Sequence, residues 1–405
     1  MTRRRVLALV VTLGALLIAG LVMRPIADGA AFVIRAADMH GFARTVAEIG
    51  VRAPSERDVM IPTARGPLRA RIYEPPRPRG RAALLTSGLH ASGIDEPRLV
   101  RLARDLAGDG LVIATPDIPE LSRFEITPAI TDAIERAGAW LATESGLARD
   151  GRVGLMGISF SGGLSIVAAG RPSLADRVAY VFALGGHDDL PRVLRYLCTG
   201  QEPYPRQQIR LGGSGGSGGA GAPADAPFTR PPHDYGVAVM TLGMADRLVP
   251  PAQVEPLRDG VRAYLWASAL DGGVDKAKAP AEFEKVRALI ATLPRPSATL
   301  LQQVVDRDVV HLGPRLLPYV SLYGSDPALS VSKSPKPAAP VFLLHGQGDN
   351  VVPPIESEYL ADDLRGHARV RLLISGLISH AEADQPAHVG DVLDLATFWG
   401  DLLRR

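Results

Sequence analysis

From Ala82 onward, short apolar runs alternate with longer amphipathic segments, and this alternation restricts the chain to a sheet with helices packed on its faces. The runs Ala82–Leu85, Leu111–Ala114, Val153–Met156 and Val178–Leu184 have the length and composition of buried strands. Between them lie helical patterns. Leu99, Leu102, Ala103 and Leu106 form one stripe, with Pro97 in the first turn. Ile130, Ala133, Ile134, Ala137 and Leu141 form a second, with Thr127 as its expected cap. Strands separated by helices of this size need right-handed crossovers, so the expected sheet is mostly parallel, with helices on both faces. A hairpin precedes it, turning at Arg65-Gly66-Pro67.

The alternation stops after Leu184 and resumes at Pro340 with the strand Val341–Leu344, the strand Val370–Ile374 and a last helix carrying Val389, Val392, Leu393, Ala396 and Trp399. Residues 50–187 and 337–405 are therefore expected to form one α/β core, interrupted by a helical cap over 188–336. Within the cap the stretch Gly212–Gly221 reads GGSGGSGGAG, a linker composition that cannot build a core, so 211–224 is expected to be a flexible loop.

The N-terminus carries a different signal. Arg3-Arg4-Arg5 precede the uncharged run Val6–Met23, whose 18 residues would reach about 27 Å as a helix. Residues 1–30 are thus expected to be an N-terminal transmembrane helix that anchors the chain in the membrane, with the remainder outside the cytoplasm. A cleaved secretory signal is the alternative, and would leave the protein secreted. Formal charge is only +2, from 45 basic and 43 acidic residues, and no basic block lies outside the N-terminus, so no nucleic-acid partner is expected. One cysteine, Cys198, excludes an intrachain disulfide and reads as a small buried hydrophobe.

Chemistry concentrates in three loops on one edge of this sheet. Gly157-Ile158-Ser159-Phe160-Ser161 follows a buried strand and opens a helix, a context that forces its central serine into a sharp turn and demands small residues two places either side. Ser159 is the candidate nucleophile, and the following N–H, on Phe160, points where an oxyanion would develop. Ser161 stands in the place of the motif's last glycine and is the lesser candidate. A serine needs a base that a carboxylate orients. Asp349 lies in the turn His345-Gly346-Gln347-Gly348-Asp349 after the regained strand, with Asp188 or Asp189 as rivals, and His345 is expected to make a structural hydrogen bond. Among histidines after Asp349, His367 precedes a strand and His388 falls in the last helix pattern. His380 alone follows the strand Val370–Ile374 in a loop, the place a general base requires.

This order of Ser159, Asp349 and His380 on such a sheet resembles the α/β-hydrolase superfamily, over about Arg57–Gly186 and Pro340–Arg405, with a looser likeness to esterases and dienelactone hydrolases over the segment from Gly93-Ile94-Asp95 through Asp117-Ile118-Pro119. The resemblance implies that Ser159 attacks a carbonyl, His380 takes and returns the proton, Asp349 orients the imidazole, and water hydrolyses the acyl-enzyme. It also implies a second oxyanion N–H from the loop Ser87-Gly88-Leu89-His90-Ala91. Here the family's His-Gly pair is absent, leaving Leu89 as the candidate donor, His90 next, and His90 otherwise as a pocket residue. The expected activity is that of a serine hydrolase acting on a small-molecule or lipid-like carboxylic ester, without metal or organic cofactor. Peptidase, amidase or thioesterase chemistry would use the same triad, and a non-catalytic ligand-binding protein of this fold is the alternative from another class.

Overall fold

The computed structural model describes residues 23–78, 81–202, 228–378 and 389–405. Its main sheet has eight strands in the order β1-β2-β4-β3-β5-β6-β9-β10: β1 (Ser55–Ile61), β2 (Leu68–Glu74), β3 (Ala82–Thr86), β4 (Val112–Pro116), β5 (Val153–Ile158), β6 (Val178–Leu184), β9 (Val341–Gly346) and β10 (Val370–Ser375). Strands β1 and β2 form the expected hairpin, β2 runs antiparallel to β4, and every pairing from β4 through β10 is parallel. Strands β3, β4 and β9 are buried along their whole length, which is why they carry no polar alternation.

One face of the sheet is covered by the helices Pro128–Thr143, Phe160–Ala169 and Ile355–Leu364. Their Ile130, Ile134, Leu164, Ile166 and Leu360 pack with Leu84, Ala114, Leu155 and Leu343. The same cluster runs on into the insertion through Leu194, Val237, Leu257 and Leu301, so core and cap share one apolar interior. The opposite face is covered by Pro97–Gly108 and Val389–Leu402. Thr127 takes the N-cap position of its helix as expected, yet its hydroxyl makes no capping bond and is buried without a partner.

This strand order, with a serine turn after β5 and an insertion after β6, is the α/β-hydrolase fold that the resemblance implied. The insertion is helical among its described residues, apart from a two-residue antiparallel ribbon of β7 (Gln201–Glu202) with β8 (Phe228–Thr229). The Gly/Ser tract 211–224 lies outside the described residues.

The expected transmembrane helix is not supported and must be corrected. Among the described residues no helix is long and apolar enough to cross a membrane, and the run Val6–Met23 lies outside them except for Met23. Helical residues 23–36 are instead packed on the body. Phe32 is fully buried with its ring 4.3 Å from that of Trp399, and added side chains at Gly29 and Gly400 would strike the backbone carbonyls of Ala396 and Pro25. Arg35, 2% exposed, donates to Ala47 O at 2.7 Å and pairs with Asp109. Membrane attachment, and the location outside the cytoplasm that followed from it, lose their basis with that correction.

Candidate active site

Strand β5 ends at Ile158 and a helix begins at Phe160, leaving Ser159 as the single residue of the turn. Its φ of 54° and ψ of −129° put a non-glycine residue in a region that costs roughly 1–3 kcal/mol. The surroundings impose it: Ser159 N–H donates to Leu184 O at 2.6 Å, and its own carbonyl accepts from Gly162 at 2.8 Å. A Cβ at Gly157 would run into the backbone carbonyl of Ser161, so only glycine fits there. Ser161 departs from the usual glycine for a reason visible in the fold. Its buried hydroxyl donates to Ser87 O at 2.6 Å, tying the loop after β3 to the helix that follows Ser159. Gly88 of that loop lies so close that an added Cβ would sit 3.4 Å from Ser159 Cβ.

Phe160 supplies the first N–H of its helix, where helix geometry leaves donors without intrahelical partners. Its buried ring stacks on His187 at 5.0 Å. In the loop after β3, the His90 N–H already donates to Leu121 O at 3.2 Å, while Leu89 O accepts the Tyr235 hydroxyl at 2.7 Å. The peptide between Leu89 and His90 is thus held at both ends, and Leu89 N–H is the better oxyanion candidate of the pair. The His90 ring turns inward, Nδ1 accepting Ser92 N–H at 3.2 Å. Burial lowers its pKa from the ordinary imidazole value, and nearby Glu96 opposes that shift.

Asp349 stands in the turn after β9 and is 1% exposed. Its Oδ1 accepts the N–H groups of Val351 at 2.9 Å and Val352 at 3.0 Å. Its Oδ2 lies 3.3 Å from His345 Nε2. His345 has the structural bonds expected of it, to Ser357 Oγ at 2.6 Å and Val352 O at 2.9 Å. Asp349 and Ser159 approach each other across Gly185, whose φ is +65°. A Cβ there would lie 3.4 Å from Asp349 Oδ2 and 3.8 Å from Ser159 Cα. The rival carboxylates are engaged elsewhere. Asp189 caps the helix Leu190–Thr199 through Arg192 N–H, and Asp188 pairs with the Arg192 guanidinium at 3.0 Å. His380 lies outside the described residues. Cys198 is buried beside Met240, and burial pushes its thiol up to about 12, which disqualifies it as a nucleophile.

Sequence reasoning passed over Gly185 and Tyr235. The Gly185-Gly186 pair at a strand end was a readable sign of close approach. Tyr235 sits in cap sequence with no motif around it.

The loop from Ser87 ends at Glu96, which caps the helix Pro97–Gly108 by accepting Leu99 N–H at 2.7 Å and Arg98 Nε at 2.6 Å. Burial opposes its ionisation, but these two donors outweigh it and the pKa falls below the usual 4.5. A depressed carboxylate stabilises above its unfolded pKa, and that stability disappears as pH falls through the folded value. Glu96→Gln is expected to cost roughly 1 kcal/mol at pH 7 and less at pH 3. Denaturation curves at both values check this, and an equal gap at both would place the stabilisation outside the charge.

No family model and no curated protein sequence matches the chain. Among solved structures it is similar to EstE1, a thermophilic carboxylesterase cloned from a metagenomic library. That match has 15% identity over 89% of this chain and 92% of the other, with a TM-score of 0.43. It is also similar to a Pyrobaculum calidifontis esterase at 14% identity, covering 94% and 91% of the two chains with a TM-score of 0.41. Brefeldin A esterase, a bacterial homologue of human hormone-sensitive lipase, matches at 13% identity over 81% of this chain and 71% of that one, TM-score 0.41.

Proposed function

We propose that the chain is a serine hydrolase cleaving carboxylic esters through Ser159, His380 and Asp349. The observation that carries this reading is the Ser159 turn: a strained serine at a strand-to-helix junction, with an acid facing it across Gly185. Backbone strain of this kind holds a hydroxyl proud of the sheet edge, where a substrate carbonyl can reach it.

In this mechanism His380 removes the Ser159 proton as Oγ attacks the ester carbonyl. Asp349 holds the imidazole in the tautomer that can accept that proton and stabilises the imidazolium that forms. The N–H groups of Phe160 and Leu89 take the oxyanion. Collapse expels the alcohol, which receives the proton from His380, and water repeats the sequence on the acyl-enzyme. Amides and thioesters would follow the same course.

A fluorophosphonate probe tests the reading, because it phosphonylates only an activated serine. Wild type and Ser161→Ala are expected to label, and Ser159→Ala to remain unlabelled. Labelling of Ser159→Ala equal to wild type would remove the nucleophile assignment. A folded wild type that never labels would favour a ligand-binding protein of this fold.

A further inference from the structure

One six-residue segment of the cap touches both loops that the proposed reaction depends on. At its start, Arg230 Nη1 donates to Gln347 O at 3.0 Å and Asp349 O at 3.4 Å, both in the acid turn. Arg230 is itself anchored, its N–H on Gly200 O at 3.0 Å and its Nε 2.8 Å from Glu202 Oε1. Three residues on, His233 N–H donates to Asn350 O at 2.9 Å. At its end, Tyr235 donates to Leu89 O, and its ring meets Phe124 edge-on at 5.9 Å. Pro231 and Pro232 lie between, fixing two φ angles and stiffening the crossing. Asp234 ties the far end into the cap by accepting the Tyr264 hydroxyl at 2.7 Å.

We propose that Arg230–Tyr235 is a strap that sets the two catalytic loops relative to each other, with Arg230 and Tyr235 as positioning residues. The inference rests on the ester-hydrolase reading and adds to it a part of the cap. The Tyr235 hydroxyl and Leu121 O grip opposite ends of one peptide. The preceding peptide carries Leu89 N–H and is pinned at Gly88 against Ser159. Leu89 N–H therefore has its direction set by the cap as well as by the core. At the other end Arg230 grips the backbone on which the Asp349 carboxylate turns.

Tyr235→Phe removes one donor and keeps the ring on Phe124. The expected result is a fall in kcat of roughly tenfold on a p-nitrophenyl ester, with KM and melting temperature almost unchanged. Affinity for a trifluoromethyl ketone, which mimics the oxyanion, should fall by the same factor. Arg230→Met reads the other end. A loosened Asp349 stabilises the imidazolium less, so the acidic limb of the pH–rate profile should move to lower pH. Wild-type labelling by the fluorophosphonate probe, with kcat, ketone affinity and pH profile unmoved in both variants, would overturn the strap while leaving the hydrolase reading intact. A lowered melting temperature with unchanged kcat would do the same, because it marks a merely structural contact. A wild type that neither labels nor turns over the ester would overturn both.

Discussion

Asp349→Asn is expected to lower kcat by about three to four orders of magnitude while leaving KM and folding nearly intact. The substitution keeps the shape of a side chain that is 1% exposed. An amide oxygen in the place of Oδ1 still accepts the N–H groups of Val351 and Val352, so the turn persists. The amide nitrogen then replaces Oδ2, the oxygen on the Ser159 side of Gly185. A donor stands where an acceptor is needed. In the proposed triad this leaves the imidazole of His380 in the wrong tautomer, without a counter-charge for its protonated form. Steady-state kinetics on a chromogenic ester, with a melting curve beside it, measure the effect. Retention of more than about a tenth of kcat would exclude Asp349 as the orienting acid. A large loss in Asp188→Asn instead would transfer the role.

Glu356→Ala should produce the largest loss of stability, about 3–5 kcal/mol, because it takes the main partner from a largely buried cation. Glu356 is 1% exposed on the helix Ile355–Leu364 and takes Arg192 Nε at 2.5 Å and Nη2 at 2.9 Å. It also accepts the N–H groups of Asp188 at 2.9 Å and Asp189 at 3.2 Å, where the chain leaves the sheet for the cap. The Arg192 guanidinium lies 3.9 Å above the Tyr359 ring, with its side chain 22% exposed, so water reaches it only in part. Asp188 is a poor substitute partner, since burial pushes its own pKa up to about 7. Denaturant unfolding should show a lower midpoint at pH 7, and Glu356→Gln, which keeps one of the two acceptor oxygens, a smaller shift. A loss below about 1 kcal/mol would mean that water solvates Arg192 freely in the folded protein.

Local physics was enough for much of the architecture. Apolar runs four to seven residues long, set between amphipathic stripes, have no satisfactory arrangement other than buried strands crossed over by helices. The turn around Ser159 was readable for the same reason: Gly157, Ser159 and Ser161 are the small residues that a strand-to-helix corner demands. The N-terminus failed on the same kind of reasoning. Hydropathy along Val6–Met23 says nothing of Gly29 and Phe32, whose places against Ala396 and Trp399 join the two ends of the chain, or of Arg35, which pairs with Asp109.

What the sequence determined by itself was the sheet with its helical crossovers and the corner that holds Ser159, because these follow from residues a few places apart. Tertiary structure alone decided that Gly185 separates Ser159 from Asp349, that the Ser161 hydroxyl replaces a glycine by holding Ser87, and that Arg230 and Tyr235 reach the two loops. Each of those contacts joins positions tens to hundreds of residues apart, and only assembly of the sheet, with the cap packed at its edge, selects them from all the pairs that composition allows.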